Sequence, residues 1–538
     1  MKLQTIVFVI GLLALDLFFS NPTQAAAVVN QLPPGTSISL VGGGDSYGGI
    51  ATPDGRYVLF ASSANNLAAS TNGGPGLAYT PAPANVFERD RVMQSNILIS
   101  INGAGTGGGN GDSWPSAISA DGRYVLFDSV ASDLIANDTN GAKDIFLRDT
   151  VSGMTSLVSV STNGGVGNGE SREAVMTPDG RYVAFASVAS NLVPNDTNGI
   201  PDVFVRDMQA GTTVMASQGA NTLKSYIVAP TSEWPIISSD GRYVAFYSTA
   251  TNLVANTGTS NDVYVRDLVG NVTLLASKAA HGLVTSPVSD VYAMSTNGEF
   301  IAYQTTGTSP AGVAFRYNVT TGATDIIATN GAVPGTLDHE ERNIDISANG
   351  QFVAFVQETT TNSKVELWNN ETGTNALISS GQTGTVDSTP RLDQSGRYVA
   401  FLGNDDLTTN SNGTNHIFVR DTFAGNVQMA DVWTNNLSFS SMEVAFYFSA
   451  NGNLVAFTCW DGTIDLSPNQ WDVFGRDLGA NTTEVISAPA AGLASVTSYG
   501  GGSISGVEQF EWAVRGVCFS VWGIGRLNFV WNQSYLRT

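Results

Sequence analysis

The hydrophobic pattern of this chain is one short unit that recurs eight times. Its plainest copy is DGRYVAFASVASNLVPNDTNGIPDVFVRD, residues 179–207. In RYVAF the apolar positions follow one another without alternation. A strand with one wet face alternates, whereas a strand covered on both faces does not. Each unit predicts four short strands. The first precedes the Asp-Gly turn (WPSAIS, EAVMT, WPIIS) and the second is RYVAFAS. The third is DVFVRD, with DIFLRD, DVYVRD, HIFVRD and DVFGRD as variants. The fourth follows a Gly-containing turn (MTSLVSV, TTVMAS, VTLLAS). β-Branched and aromatic residues fill these runs, and Gly, Asn, Asp and Pro bound them. No stretch sustains a 3.6-residue period, so helices are expected to be rare.

The second strands begin after turns at Asp54, Asp121, Asp179, Asp240, Asn297, Asn349, Ser395 and Asn451, at steps of 46–67 residues. Regular repetition at this period means a repeat assembly, not a row of independent domains. A twisted four-stranded sheet between two similar sheets has the doubly covered strands that RYVAF demands, and radial repetition supplies that setting. The expected fold is therefore all-β: a single β-propeller of four-stranded blades over residues 31–490, with eight blades and seven as the alternative. Asp-Gly or Asn-Gly between the first two strands suits a tight hairpin, because Gly tolerates positive φ. The Asp that ends DVFVRD is placed to accept hydrogen bonds from the turn after it, and the Arg before it to meet a neighbouring carboxylate. TSISLV, residues 36–41, resembles a fourth strand. It could complete the last blade and tie the ring shut, although all eight units already own a fourth strand.

DGRYVAF…DVFVRD resembles the propeller repeat of the TolB-type bacterial periplasmic family, a relative of WD repeats. The resemblance is closest in the second to fourth copies. It implies a propeller in an exported bacterial protein, a fold that usually serves as a binding platform. The amino-terminal α/β domain of that family has no counterpart here, so the role of TolB itself is not implied.

Composition narrows the partners. The 538 residues carry Lys+Arg 24 against Asp+Glu 46, a formal net charge of −22. Such a surface repels phosphate backbones, which excludes nucleic acid. The two cysteines, Cys459 and Cys518, cannot make a disulfide framework. Residues 1–27 read as a secretory signal peptide: Lys2, the apolar run IVFVIGLLAL, and small residues allowing cleavage after Ala25 or Ala27. The run is too short to span a bilayer comfortably. The mature chain is expected in the periplasm or outside the cell, without a transmembrane segment, as a monomer. Residues 491–538 depart from the repeat, holding Trp, Arg and Cys518 but no DGRYVAF, and are read as a degenerate carboxy-terminal tail.

Few motifs suggest chemistry. NDTNG occurs twice, and places Asp138, Asn140 and Asp144, and again Asp196, Asn198 and Asp202, at D-x-N-G-x-x-D spacing. Oxygen ligands around a tight Gly turn suit calcium, the one cofactor the sequence offers. The competing reading is an Asx-stabilised loop, since Ala136 and Pro194 stand where a first carboxylate is expected. GAGTGG from Gly103 fits G-x-G-x-x-G, but a strand follows it where a nucleotide fold needs a helix. Ser46 in GDSYG lies between blades and not in a strand-to-helix elbow. His281, His339 and His416 fall in different units without metal spacing. Asp338, Glu340 and Glu341, in the densest charged cluster (338–342), could pair for acid–base work, but read rather as a solvated loop.

Comparison of the units is more informative. Residues shared by all copies hold a blade together, while residues that vary at one geometric position are free to meet a ligand. Counting five back from the end of the first strand gives Trp114, Arg172, Glu233, Asp290 and Arg342. Aromatic, cationic and anionic groups at the channel rim would suit a protein or polysaccharide. The leading expectation is an exported, non-enzymatic binding platform for such a partner. The alternatives are a propeller enzyme, a lyase or hydrolase acting on an extracellular polymer, and a structural module of a cell-surface assembly.

Overall fold

The computed structural model describes residues 43–64, 66–68, 83–220, 231–255, 261–283, 288–305, 312–329, 343–358, 362–380, 382, 387–404, 407–408, 414–433, 446–460 and 470–489. The signal peptide, TSISLV, His339, the Asp338–Arg342 cluster and the tail lie outside these residues. The unit Ile38–Thr538 contains eight four-stranded antiparallel sheets, each formed by consecutive strands. The sheets are blades 1 (46–98), 2 (113–157), 3 (171–215), 4 (232–275), 5 (288–328), 6 (344–377), 7 (387–429) and 8 (446–485). This is an eight-bladed β-propeller, so the seven-bladed alternative falls. The first strand of a blade is its inner edge and neighbours the first strands of adjacent blades. Among the described residues the one helix is a short 3-10 segment, Ala276–Gly282. Among the described residues no helix is long and apolar enough to cross a membrane.

The doubly covered second strand is as the pattern requires. Val183, Ala184 and Phe185 are wholly buried. Phe185 meets Phe204 of the third strand with ring centroids 5.9 Å apart. The same pair recurs as Phe60–Phe87, Phe127–Phe146, Phe246–Tyr264, Tyr303–Phe315, Phe401–Phe418 and Phe457–Phe474. It accounts for the two aromatic positions of the repeat, since paired rings add to the energy of burial.

The Asp-Gly turn works within its blade and between blades. Gly122 has φ 77°, and a Cβ there would lie 2.4 Å from the Tyr57 ring of the preceding blade. Both conformation and space call for glycine. Arg123 reaches Asp149 at 3.0 and 2.7 Å and lies over the Tyr124 ring. Asp149 Oδ1 also accepts from the amides of Val151 and Ser152, the turn-capping role expected of it. Its neighbour Arg148 does not take the expected carboxylate. It donates to the Thr155 hydroxyl at 3.0 Å, across to the fourth strand.

The turns also join one another around the ring. Ala120 N donates to Pro178 O, Ser239 N to Thr296 O, Thr296 N to Ala348 O, Ala348 N to Gln394 O, and Gln394 N to Ala450 O. Asn451 N closes the series by donating to Pro53 O of blade 1. The two junctions missing from it are those where the donor position is Pro53 or Pro178, which have no N–H. Blade 8 uses its own fourth strand, Thr482–Val485. Among the described residues, the seam with blade 1 carries Arg91–Glu484 at 2.5 Å, Trp471 N donating to Asp45 Oδ1, and Gly49 against Ala456.

Candidate functional site at the channel rim

The inner strands are bulged. Register shifts interrupt the pairing of first and second strands in blades 1, 2, 3, 4, 5 and 7. At the bulges of blades 3, 4 and 7, Glu173, Trp234 and Thr389 have φ of 57°, 59° and 52°. Non-Gly residues held in this region are strained, and such strain together with bulges clusters at functional sites.

The bulge gathers the rim charges. Arg172 Nη2 donates to Glu233 Oε1, linking blade 3 to blade 4. Its Nε lies 3.5 Å from Glu173 Oε1. The other oxygen of Glu173 accepts from Trp234 N, and the Trp234 carbonyl accepts from the Tyr292 hydroxyl of blade 5. Burial works against the Arg172 charge, but the carboxylates of Glu173, Glu233 and Glu170 outweigh it, and its pKa is raised. Two carboxylates thus sit on one guanidinium at the junction of three blades, with Glu173 the more enclosed.

The other expected rim residues divide. Trp114 is buried against Tyr47, Ala61 and Ala84, which makes its ring a wall between blades 1 and 2. Opposite it in register stands Asp128, which pairs with Lys143 at 3.2 Å, both enclosed. Asp290 lies in the first strand of blade 5, and Arg342 lies outside the described residues. Glu173 and Tyr292 were not singled out from the sequence. Glu173 is adjacent to Arg172, but its direction depends on the bulge.

A further inner-strand position also varies. Ile50, Ala117, Val175, Ile236 and Ala293 occupy it in blades 1–5, and Asp345, Arg391 and Tyr447 in blades 6–8. Asp345 Oδ2 accepts from Leu392 N at 2.8 Å. Burial pushes the Tyr447 hydroxyl up to about 12, against the pull of Arg391.

The NDTNG loops form two matching arrangements. Asp144 accepts from Ser159 and Asn140, both at 2.6 Å, and Asp202 accepts from Ser217 and Asn198 at 2.5 and 2.6 Å. Burial raises both carboxylates to about 6, with the nearby Asp138 or Asp196 adding to the effect. Each of these carboxylate oxygens thus accepts one hydrogen bond within an Asx-type loop and keeps a further lone pair. Among the described residues no group of three or more His, Cys, Asp or Glu side chains is arranged to hold a metal ion. Pro194, Asp196 and Asn198 line a cavity of about 840 Å³ with Met215, Arg266 and Asn271. It lies by the fourth strand of blade 3, at the sheet edge opposite the inner strand.

No protein-family model matches the chain, and no curated protein matches it. Solved structures do. Dipeptidyl peptidase 4 of Porphyromonas gingivalis aligns at 12% identity and TM-score 0.49 over 82% of this chain and 59% of its own length. Oligogalacturonate lyase from Vibrio parahaemolyticus aligns at 14% identity and TM-score 0.37, over 82% and 91%. TolB from Acinetobacter baumannii aligns at 11% identity and TM-score 0.32, over 69% and 81%. The present chain therefore spans little more than half of the peptidase. The TolB resemblance holds at the level of the fold. The expectation of a non-enzymatic platform does not stand: enzymes, among them a dipeptidyl peptidase, prolyl endopeptidases and oligogalacturonate lyases, are found beside TolB among the similar structures, so the fold offers no ground for setting catalysis aside.

Proposed function

We propose that this protein is a propeller enzyme, a lyase or hydrolase that acts on an extracellular polymer at its channel rim. The observation that carries this reading is the Arg172 guanidinium held between Glu173 and Glu233, on strained backbone of two inner strands. Cleavage of a polymer by hydrolysis or elimination needs a proton donor, a proton acceptor and a cation for developing negative charge. The cluster supplies the cation and a carboxylate, Glu233, that can act in turn as proton acceptor and proton donor. Glu233, the more open carboxylate, is assigned the proton transfer. Arg172 is assigned the charge on the substrate, and Glu173 its orientation. Export as a monomer to the periplasm or beyond belongs to the same reading, because a polymer substrate is met there.

The test is incubation of the purified protein with a panel of polysaccharides and unstructured polypeptides. Reducing ends or new amines report hydrolysis, and absorbance of new carbon–carbon double bonds reports elimination. We expect one polymer class to be cut, with Glu233→Gln and Arg172→Lys each lowering the rate about 100-fold or more. Absence of cleavage across the panel, or full activity in both variants, would sink the assignment.

A further inference from the structure

The residue that opens the third strand is part of a buried pair in most blades. Asn85, Asp144, Asp202, Asp262 and Asp472 accept from Ser100, Ser159, Ser217, Ser277 and Ser487 at 2.5–2.9 Å. Each serine oxygen in turn accepts a strand amide, from Val86, Ile145, Val203, Val263 and Val473. Blade 7 inverts the pair. His416 opens its third strand and Asp431 stands where serine does elsewhere.

Asp431 keeps the serine's backbone role, accepting from Ile417 N at 3.1 Å through Oδ1. Its Oδ2 lies 2.5 Å from His416 Nδ1. On the other side of the ring, His416 Nε2 is 3.2 Å from Thr414 Oγ1. Asp431 and His416 are fully buried, and Thr414 is exposed. The Phe418 ring meets the imidazole edge-on at 6.3 Å and steadies its plane. A carboxylate only accepts, so Nδ1 carries the proton and donates to Asp431. The lone pair of Nε2 then faces the Thr414 hydroxyl, which donates to it. A hydroxyl at the surface, an imidazole beneath it and a carboxylate innermost is the order in which a hydroxyl is activated for acyl transfer, and such sets are recognised by geometry, not by chain position. Blade 4 differs. Its His281 approaches Asp262 at 2.7 Å, on the oxygen that already accepts from Ser277.

We propose that Thr414, His416 and Asp431 form a second site, independent of the channel rim, which takes a small acyl ester. Thr414 lies on the surface, so it can reach an O-acyl group carried on a larger molecule. Thr414 Oγ attacks the ester carbonyl carbon while Nε2 takes the hydroxyl proton. The tetrahedral adduct collapses, the bond to the alcohol oxygen breaks, and the alcohol leaves with the proton from Nε2. Water then attacks acyl-Thr414, giving its proton to Nε2, and the carboxylic acid leaves as the hydroxyl is restored. Asp431 is a positioning residue that fixes the tautomer.

The experiment uses the full protein with p-nitrophenyl acetate. Nitrophenolate release is followed, and acid-quenched samples are mapped by peptide mass. Expected are an acetyl group on Thr414, retention in Thr414→Ser, and loss of both the adduct and the enzyme-dependent rate in Thr414→Ala. His416→Gln should lower the rate about 100-fold. Asp431→Asn should remove a downfield imidazole N–H proton signal and slow acylation while circular dichroism stays unchanged. Thr414 is exposed, so its alanine variant keeps the test decisive if the buried variants do not fold. Absence of acetyl on Thr414, or equal rates in wild type and Thr414→Ala, would overturn the proposal. The readout involves no polymer cleavage, so this result and that for the rim are separable.

Discussion

Arginine does two different jobs in neighbouring parts of the ring. In blades 1–4 and 7 the turn arginines Arg56, Arg123, Arg181, Arg242 and Arg397 clamp the Asp at the end of the third strand and lie over the adjacent Tyr. These side chains are 41–46% exposed. In blade 5 the turn reads NGEF and the arginine, Arg316, sits instead in the third strand, with 6% of its side chain exposed. It binds Asp325 in its own blade at 2.6 Å. It also donates to the Gly350 carbonyl and the Asn370 side chain of blade 6 and packs between the Phe300 and Trp368 rings. The first arrangement stitches a blade to itself and the second stitches two blades together. Exposed pairs are solvated and screened and contribute little, whereas a buried guanidinium leaves unsatisfied partners when it is lost.

The comparison breaks most sharply at Arg316→Ala. Hydrogen bonds to a charged group and two ring contacts disappear together, for a loss of roughly 3 kcal/mol. Chemical denaturation should show it as a lower midpoint. A variant as stable as wild type would mean that blades 5 and 6 do not depend on this residue.

Gly350→Ala is expected to come next, at about 1–3 kcal/mol. Gly350 has φ 73°, and a Cβ would lie 2.2 Å from Phe300, the ring that also packs on Arg316. The double variant with Arg316→Ala should cost less than the sum of the two single changes, because both disturb Phe300. Strict additivity would separate the turn from the arginine.

The exposed clamp gives a smaller and pH-dependent effect. The Arg181 side chain, with the amides of Ala210 and Gln209, holds Asp207 down to about 2. A carboxylate whose folded pKa is depressed adds stability above its unfolded pKa and loses it as pH falls through the folded value. The contribution of Asp207 should therefore be intact at pH 5 and fade between about pH 4 and 2. Arg181→Ala should lower the melting temperature less than Gly350→Ala does, and the difference should shrink with added salt. An effect as large as that of Arg316→Ala, insensitive to salt, would erase the distinction drawn here.

The scaffold was largely legible in the sequence because it rests on local rules. Phe185 and Phe204 announce a doubly covered pair, and Asp179-Gly180 announces the turn. What could not be read depends on register or on a neighbouring blade. Arg172 and Glu233 were found at one geometric position, but their pairing, and the role of Glu173, follow from a bulge that no residue type specifies. Arg316 touches blade 6 through residues 34 and 54 positions away. His416 and Asp431 lack motif spacing. Their signal is a reciprocal exchange, His for Asp and Asp for Ser 15 residues later, visible only with the units laid side by side.

The smallest effect is expected where the ring of turns is interrupted. Between blades 3 and 4 the donor position is Pro178, while at the next junction Ser239 N supplies the bond to Thr296 O. Pro178→Ala would return an amide that the geometry of the other junctions aims at the Ser239 carbonyl. A new hydrogen bond contributes about 0.5–1.5 kcal/mol. Removing proline frees the unfolded chain by about 0.4–1 kcal/mol, in the opposite sense. The two nearly offset, so stability should change by no more than roughly 0.5 kcal/mol. Stability alone therefore cannot judge the idea, but hydrogen exchange can. The new amide at position 178 should be protected to the same degree as that of Ser239. Fast exchange there would show that proline marks a real break in the ring and not merely a missing donor.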